Sequence, residues 1–200
     1  MHTIVAVENV SLDGVMQAPA GPDEDPRGGF TRGGWATPYL QADPEAAMAA
    51  FTGRAAHGTA PGGMLFGHRT YDDDVGYWLT TTEPNPFSEV LRESPKYVAT
   101  RDPDVQLAWP ASFPLVGEAT QTVARLREQG DGDLVVLGSG ALVRDLAAAG
   151  LVDRYVLTTL PVVLGQGTRL FGGTPLDLEV RWSTTSPSGI VTTEYAVRRP

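Results

Sequence analysis

The chain has 200 residues, 42% of them hydrophobic and 20% charged, which is ordinary globular material of a length that buries a sizeable core. It contains no cysteine, so disulfides, thiolate metal sites and cysteine nucleophiles are excluded, and His2, His57 and His68 lack metal-ligand spacing, so no metal is expected. The net charge of −9, with Lys96 the single lysine and the arginines scattered, argues against a nucleic-acid partner. The opening MHTIVAVENV has no basic leader, and no apolar run approaches the roughly 20 residues of a membrane span. A soluble cytoplasmic protein with no membrane partner is the expectation.

In chain order, Thr3–Val10 reads as a strand, with Ile4, Val5, Val7 and Val10 giving its β-branched character, and Ser11-Leu12-Asp13-Gly14 ends it. Met16–Tyr39 is rich in proline and glycine and predicts a long loop, a feature that in compact domains is often functional. Its rings, Phe30, Trp35 and Tyr39, either pin the loop to the body or line a ligand cleft. Asp43-Pro44 supplies an N-cap and an N1 proline for a helix through Glu45–Thr52. Met64-Leu65-Phe66 is a short buried strand closed by Gly67. Thr70–Tyr77 starts a short helix whose Asp72, Asp73 and Asp74 suit the N-terminal dipole.

Pro84-Asn85-Pro86 marks a turn before a helix over Phe87–Arg92, and Lys96–Thr100 is the next strand, ended by Arg101-Asp102-Pro103. Val116–Glu128 has the pattern of an amphipathic helix that Gly130 ends. The run Leu134–Leu137 is a strand that stops at Gly138-Ser139-Gly140, where a helix begins and continues through Ala149 to Gly150. Arg154–Leu160 is a further strand, Pro161–Thr168 a glycine-rich loop, and Leu176–Thr184 with Ile190–Arg198 a hairpin around Pro187-Ser188-Gly189. Alternating strands and helices closed by a hairpin predict an α/β sheet with antiparallel strands at one edge.

Ligands of such sheets sit beyond the carboxyl ends of the strands. Gly138-Ser139-Gly140 lets the backbone approach a ligand closely, and the first N–H groups of the following helix, with its dipole, suit an anion. Gly67-His68-Arg69-Thr70 repeats that logic. Arg69 either grips a phosphate or pairs with Asp72–Asp74. Arg101, directly after a strand, suits a terminal phosphate such as the ribose 2′-phosphate of NADP, or else pairs with Asp102 or Asp104 at the surface. A contact of that charge-assisted type is worth on the order of ten- to a hundredfold in affinity. A Rossmann fingerprint is the obvious competitor. Against it, Val143 stands where the third small residue belongs, the turn comes late in the chain, and no acidic residue closes the next strand to hold a ribose diol.

Five segments in order resemble the dihydrofolate-reductase-like superfamily and, within it, the RibD C-terminal-domain group. They are Ser11-Leu12-Asp13-Gly14, Phe66-Gly67-His68-Arg69-Thr70-Tyr71, Val98-Ala99-Thr100-Arg101, Leu137-Gly138-Ser139-Gly140, and Leu160 to Gly167. The resemblance covers nearly the whole chain and implies one domain over residues 1–200 with a three-layer α/β/α fold and a mostly parallel sheet. It also implies NADPH as cofactor and a homodimer. The implied cofactor residues are Gly67, His68, Arg69 and Thr70, then Gly138, Ser139, Gly140, Ala141 and Leu142 around the pyrophosphate, and Thr100 and Arg101 at the 2′-phosphate. His68 departs from the family pattern, which has arginine there. The helix carboxylate that anchors a pterin in dihydrofolate reductases is also not matched, since Ala46–Phe51 offers none and the acids at the helix start, Asp43 and Glu45, read as caps.

The expected activity is therefore NADPH-dependent reduction of a small heterocyclic or other unsaturated substrate rather than folate, with Asp13 as the candidate proton donor and Trp35 and Tyr39 against the substrate. Asp13 reads equally as an Asp-Gly turn former. Two alternatives are a ligand-binding dimer without turnover and a riboflavin-pathway pyrimidine reductase. The latter role usually comes with a fused deaminase whose zinc-ligand cysteines are absent here.

Overall fold

A computed structural model describes residues 1–56, 61–81, 86–173 and 175–199. His57 and the predicted turn residues Pro84 and Asn85 lie outside the described residues. Eight strands form an α/β sheet in the order β4-β3-β2-β5-β1-β6-β8-β7. The chain divides into two compact units, residues 1–5 with 60–152, and residues 6–59 with 153–200. Strand β1 (Thr3–Ser11) begins in the first unit and ends in the second.

In the first unit, β2 (Pro61–Gly67), β3 (Lys96–Thr100), β4 (Ser112–Val116) and β5 (Asp133–Leu137) are parallel. Leu65 and Phe66 of β2 and Leu134 and Val136 of β5 are buried, the near-continuous apolar runs of strands covered on both faces. After β2 come α3 (His68–Thr70), a π-helical turn (Tyr71–Val75) and α4 (Gly76–Thr80) without a break, one run where the sequence predicts a shorter helix. The other helices are α5 (Pro86–Glu93), α6 (Ala119–Glu128) and α7 (Gly140–Ala148). Strand β4 corrects the predicted helix start at Val116. Val116 ends β4, Gly117 turns with φ +123°, and α6 opens only at Ala119. Pro114 in the middle of β4 suits a strand that ends the sheet order, because it has no N–H to give a further neighbour. Lys96 is fully buried, its Nζ donating to the carbonyls of Leu91 (2.6 Å) and Ser94 (2.8 Å) at the end of α5, where a cation suits the dipole. Burial pushes its ammonium pKa down.

In the second unit, β6 (Arg154–Leu160), β8 (Val191–Val197) and β7 (Leu178–Thr185) are antiparallel, the predicted hairpin among them. Helices α1 (Thr37–Ala42) and α2 (Pro44–Ala56) precede them in the chain. Asp43 caps α2 as predicted, accepting from Ala46 N at 3.0 Å, and takes Ser188 Oγ at 2.6 Å from the hairpin tip. A Cβ on Gly53 of α2 would lie 2.6 Å from the Trp182 ring, so this close approach requires glycine. The predicted loop Met16–Tyr39 is partly ordered into a 3₁₀ turn at Arg27–Gly29 and the start of α1. Buried Gln17 clamps it: Nε2 donates to the carbonyls of Asp25 and Arg27, both at 2.9 Å, while Oε1 accepts from Thr168 N (2.8 Å) and Thr168 Oγ1 (3.0 Å).

Candidate functional site

The carboxyl ends of β5, β2 and β3 lie side by side on one edge of the first unit, because the three strands are parallel neighbours. They bring together Gly138–Leu142, Gly67–Thr70 and Thr100-Arg101. Gly138 holds φ +62°, a left-handed conformation that turns the strand sharply into α7. Ser139 Oγ accepts the Gly67 N–H at 3.0 Å, stitching the β5 turn to the β2 turn. The Ser139 side chain is thus buried and engaged with the protein, which leaves backbone as its contribution to an anion. It makes no cap bond to α7, and the helix's own ladder leaves the N–H groups of Gly140, Ala141 and Leu142 without an intrahelical acceptor. Thr70 and Asp74 also border the turn: a Cβ on Gly138 would sit 3.5 Å from Thr70 Cγ2 and 3.0 Å from Asp74 Oδ2.

His68 Nε2 lies 3.5 Å from Asp72 Oδ2, four residues on along the same run. Arg69 is exposed at the turn. The Thr100 hydroxyl accepts from Asp102 N at 3.1 Å, which shapes the turn after β3. Arg101 pairs with neither Asp102 nor Asp104. Its Nε and Nη2 donate to the two carboxylate oxygens of Glu118 at 3.1 and 3.2 Å, and this fork holds the guanidinium pKa above its ordinary value. Nothing in the sequence spacing signals Glu118, 17 residues on from Arg101; only the neighbouring ends of β3 and β4 bring the two together.

The remaining candidates belong to the second unit. Asp13 is a lock. Its oxygens accept from Leu164 N (3.0 Å), Gly165 N (2.9 Å) and Ser11 Oγ (2.7 Å), and Arg169 Nε donates to its backbone carbonyl at 2.8 Å. The Leu164 N–H, then the Ser11 hydroxyl and the Gly165 N–H, lower its pKa to about 2. These bonds anchor the Asp13-Gly14 turn to the backbone of Leu164 and Gly165. Trp35 is 6% exposed, packed with Val15, Phe30, Leu160 and Leu164, and its Nε1 donates to the Gln17 carbonyl at 2.8 Å. Tyr39 packs against the same cluster and stays half-buried. Of the two readings of these rings, Trp35 takes the one that pins the loop.

The family model of the RibD C-terminal domain matches residues 2–192. The chain belongs to the RibD C-terminal domain family. Within the curated proteins, it is 29% identical over 102 residues to the uncharacterized protein YwjB of Bacillus subtilis, a match covering 51% of this chain and 58% of that protein's length. Among solved structures, its RibD C-terminal fold is similar to a putative riboflavin biosynthesis protein from Shewanella sp. PV-4. That pair has TM-score 0.65 and 19% identity, with 98% of this chain and 99% of that one covered. It is also similar to the dihydrofolate reductase of Enterococcus faecalis complexed with NADP(H), with TM-score 0.58, 14% identity, and 98% and 97% of the two chains covered. These likenesses establish a dihydrofolate-reductase-like α/β fold. Among the described residues, no helix is long and apolar enough to cross a membrane.

Proposed function

We propose that this RibD C-terminal domain protein is an NADPH-dependent reductase acting on a small heterocyclic or otherwise unsaturated molecule. The observation that carries the reading is the row of three adjacent strand ends, β5, β2 and β3, joined by the Ser139–Gly67 bond. The donor set fits a dinucleotide phosphate in its chemistry. It combines first-turn N–H groups of Gly140, Ala141 and Leu142, the turn Gly67-His68-Arg69-Thr70, and the guanidinium of Arg101 beside Thr100. The NADP(H) complex of the similarly folded Enterococcus enzyme and the family's RibD membership support the same cofactor.

NADPH, when bound, supplies the hydride. The chain's residues hold and orient it. The glycine turn and the 67–70 turn would hold the pyrophosphate, and Arg101, now paired with Glu118, would hold the 2′-phosphate. Asp13 keeps the 161–169 loop in place as an anion, so the proton that completes reduction comes from water rather than from Asp13. The helix α2 offers no carboxylate between Ala46 and Phe51, which speaks against folate. We also propose that the protein acts in the cytoplasm as a homodimer without a nucleic-acid or membrane partner.

Fluorescence titration with NADPH and NADH tests the cofactor, and binding of neither overturns the proposal. Steady NADPH oxidation across a panel of pteridines, pyrimidines, quinones and carbonyl compounds separates a reductase from a protein that binds the nucleotide without turnover. That second reading is favoured by the absence of a carboxylate from Ala46 to Phe51 in α2. Sedimentation at micromolar concentration reads the dimer directly.

A further inference from the structure

We infer that Glu118 is a specificity-determining residue, a competitor built into the cofactor site that holds Arg101 and reduces the advantage of a 2′-phosphorylated nucleotide over one with a free ribose diol. The inference rests on the cofactor reading above. Arg101 and Glu118 leave neighbouring strands at matching points: Thr100 pairs in register with Val116, and Gly117 N donates to Thr100 O at 2.9 Å. Two side chains set out from adjacent backbone positions, and their planar groups meet in a two-point fork at 3.1 and 3.2 Å.

Helix formation does not explain the acid. Glu118 is the N-cap residue of α6, yet its side chain makes no cap bond, and its backbone carbonyl alone serves the helix by accepting from Gln121 N and Thr122 N at 3.0 Å each. Serine, threonine, aspartate or asparagine is the residue type that caps a helix. Glutamate, one methylene longer than aspartate, turns outward to the arginine instead. Nor does stability explain it, because the side chains are 81% and 59% exposed and a pair in that setting contributes little to folding. Asp145 of α7 adds a second negative charge to the surroundings of Arg101.

The two nucleotides meet this pair differently. A phosphate monoester, with a charge of about −1.5 to −2, needs the same guanidinium edge that Glu118 occupies and then sits beside a displaced carboxylate. A ribose diol brings no charge and donates hydroxyl protons. A carboxylate has about four acceptor positions, so Glu118 can accept from the diol while keeping Arg101. The resting pair therefore takes back part of what Arg101 alone would give to NADPH.

The test is calorimetric titration of the full chain with NADPH, NADH and 2′,5′-ADP, comparing the wild type with Glu118→Gln and Glu118→Ala. Both substitutions fall on an exposed side chain, and thermal melts of each variant report that the fold is intact. The expected result is that both variants widen the NADPH-to-NADH affinity ratio by about three- to fivefold, mainly through tighter NADPH and 2′,5′-ADP binding. A ratio unchanged to within about twofold, or narrowed, while the cofactors still bind, overturns the role of Glu118 and leaves the reductase reading standing. Binding of no nucleotide by the wild type overturns both.

Discussion

Replacing Ser139 with alanine probes the joint on which the proposed cofactor edge depends. Ser139 is 4% exposed, and its hydroxyl is the acceptor for the Gly67 N–H at 3.0 Å, the side-chain bond that ties the β5 turn to the β2 turn. Alanine keeps the backbone path but leaves that N–H without its acceptor. An orphaned buried donor costs about 1–3 kcal/mol, and because Gly67 is only half-buried the lower part of that range applies, about 1–2 kcal/mol. In a chain of this size each kcal/mol moves the melting temperature by roughly 2–4 °C, so Ser139→Ala should melt about 2–8 °C below the wild type. Freed from one another, the two turns should hold NADPH less well, with Kd raised roughly three- to tenfold. Calorimetric melts and a fluorescence titration on the same preparation read both effects. A variant that melts with the wild type and binds NADPH equally would refute the joint, and a lower melting temperature with unchanged Kd would confine Ser139 to the fold.

Asp13→Asn should alter the acid side of the stability profile. The Asp13 pKa is lowered from 3.8 to about 2, so its contribution is present above the ordinary value and fades as the pH falls from 3.8 toward 2. Asparagine should therefore be less stable at neutral pH and lose that share of the acid dependence, and parallel wild-type and variant curves between pH 5 and 2 would contradict the lock. Trp35→Ala should cost about 3–5 kcal/mol in chemical denaturation, as for a large core ring. Wild-type stability with a raised KM would instead make Trp35 a substrate platform. Tyr155 is 1% exposed, its hydroxyl has no hydrogen-bond partner among the described residues, and burial pushes its pKa up to about 12. Tyr155→Phe should hold stability or raise it by up to about 1 kcal/mol, and a clear loss in a urea titration would mean that the hydroxyl does find a partner.

Patterns confined to one strand or turn were legible from residue order. Lys96–Thr100 and Arg154–Leu160 occur with the predicted bounds because β-branched and aromatic residues run up to clear breakers on each side. Strand β4 was not legible. Phe113, Leu115 and Val116 abut the helical pattern of α6, and Pro114 argues against an interior strand, so only its place at the end of the strand order makes sense of it. At the site, glycine after a strand marked the turn at Gly138, whereas Gly67 is the last, extended residue of β2 and the chain turns into α3 directly after it. Partner choice could not be read. Arg101 chose Glu118 over the nearer Asp102 and Asp104, and Asp13 chose two backbone amides about 150 residues away, because such pairings depend on which strand ends and loops become neighbours. Trp35 shows the same limit, since a ring in a proline- and glycine-rich stretch carries no mark of the core it will enter.

The burial of Lys96 gives the folded protein an unusual chemical blind spot. With its single lysine sealed against the end of α5, the native chain presents no side-chain amine to acylating dyes or bifunctional cross-linkers. Labelling located at Lys96, distinguished from that at the exposed Met1 α-amine, would consequently report on opening of the β3–α5 junction rather than on assembly. Arginine- and carboxylate-directed reagents are the ones that address the native exterior.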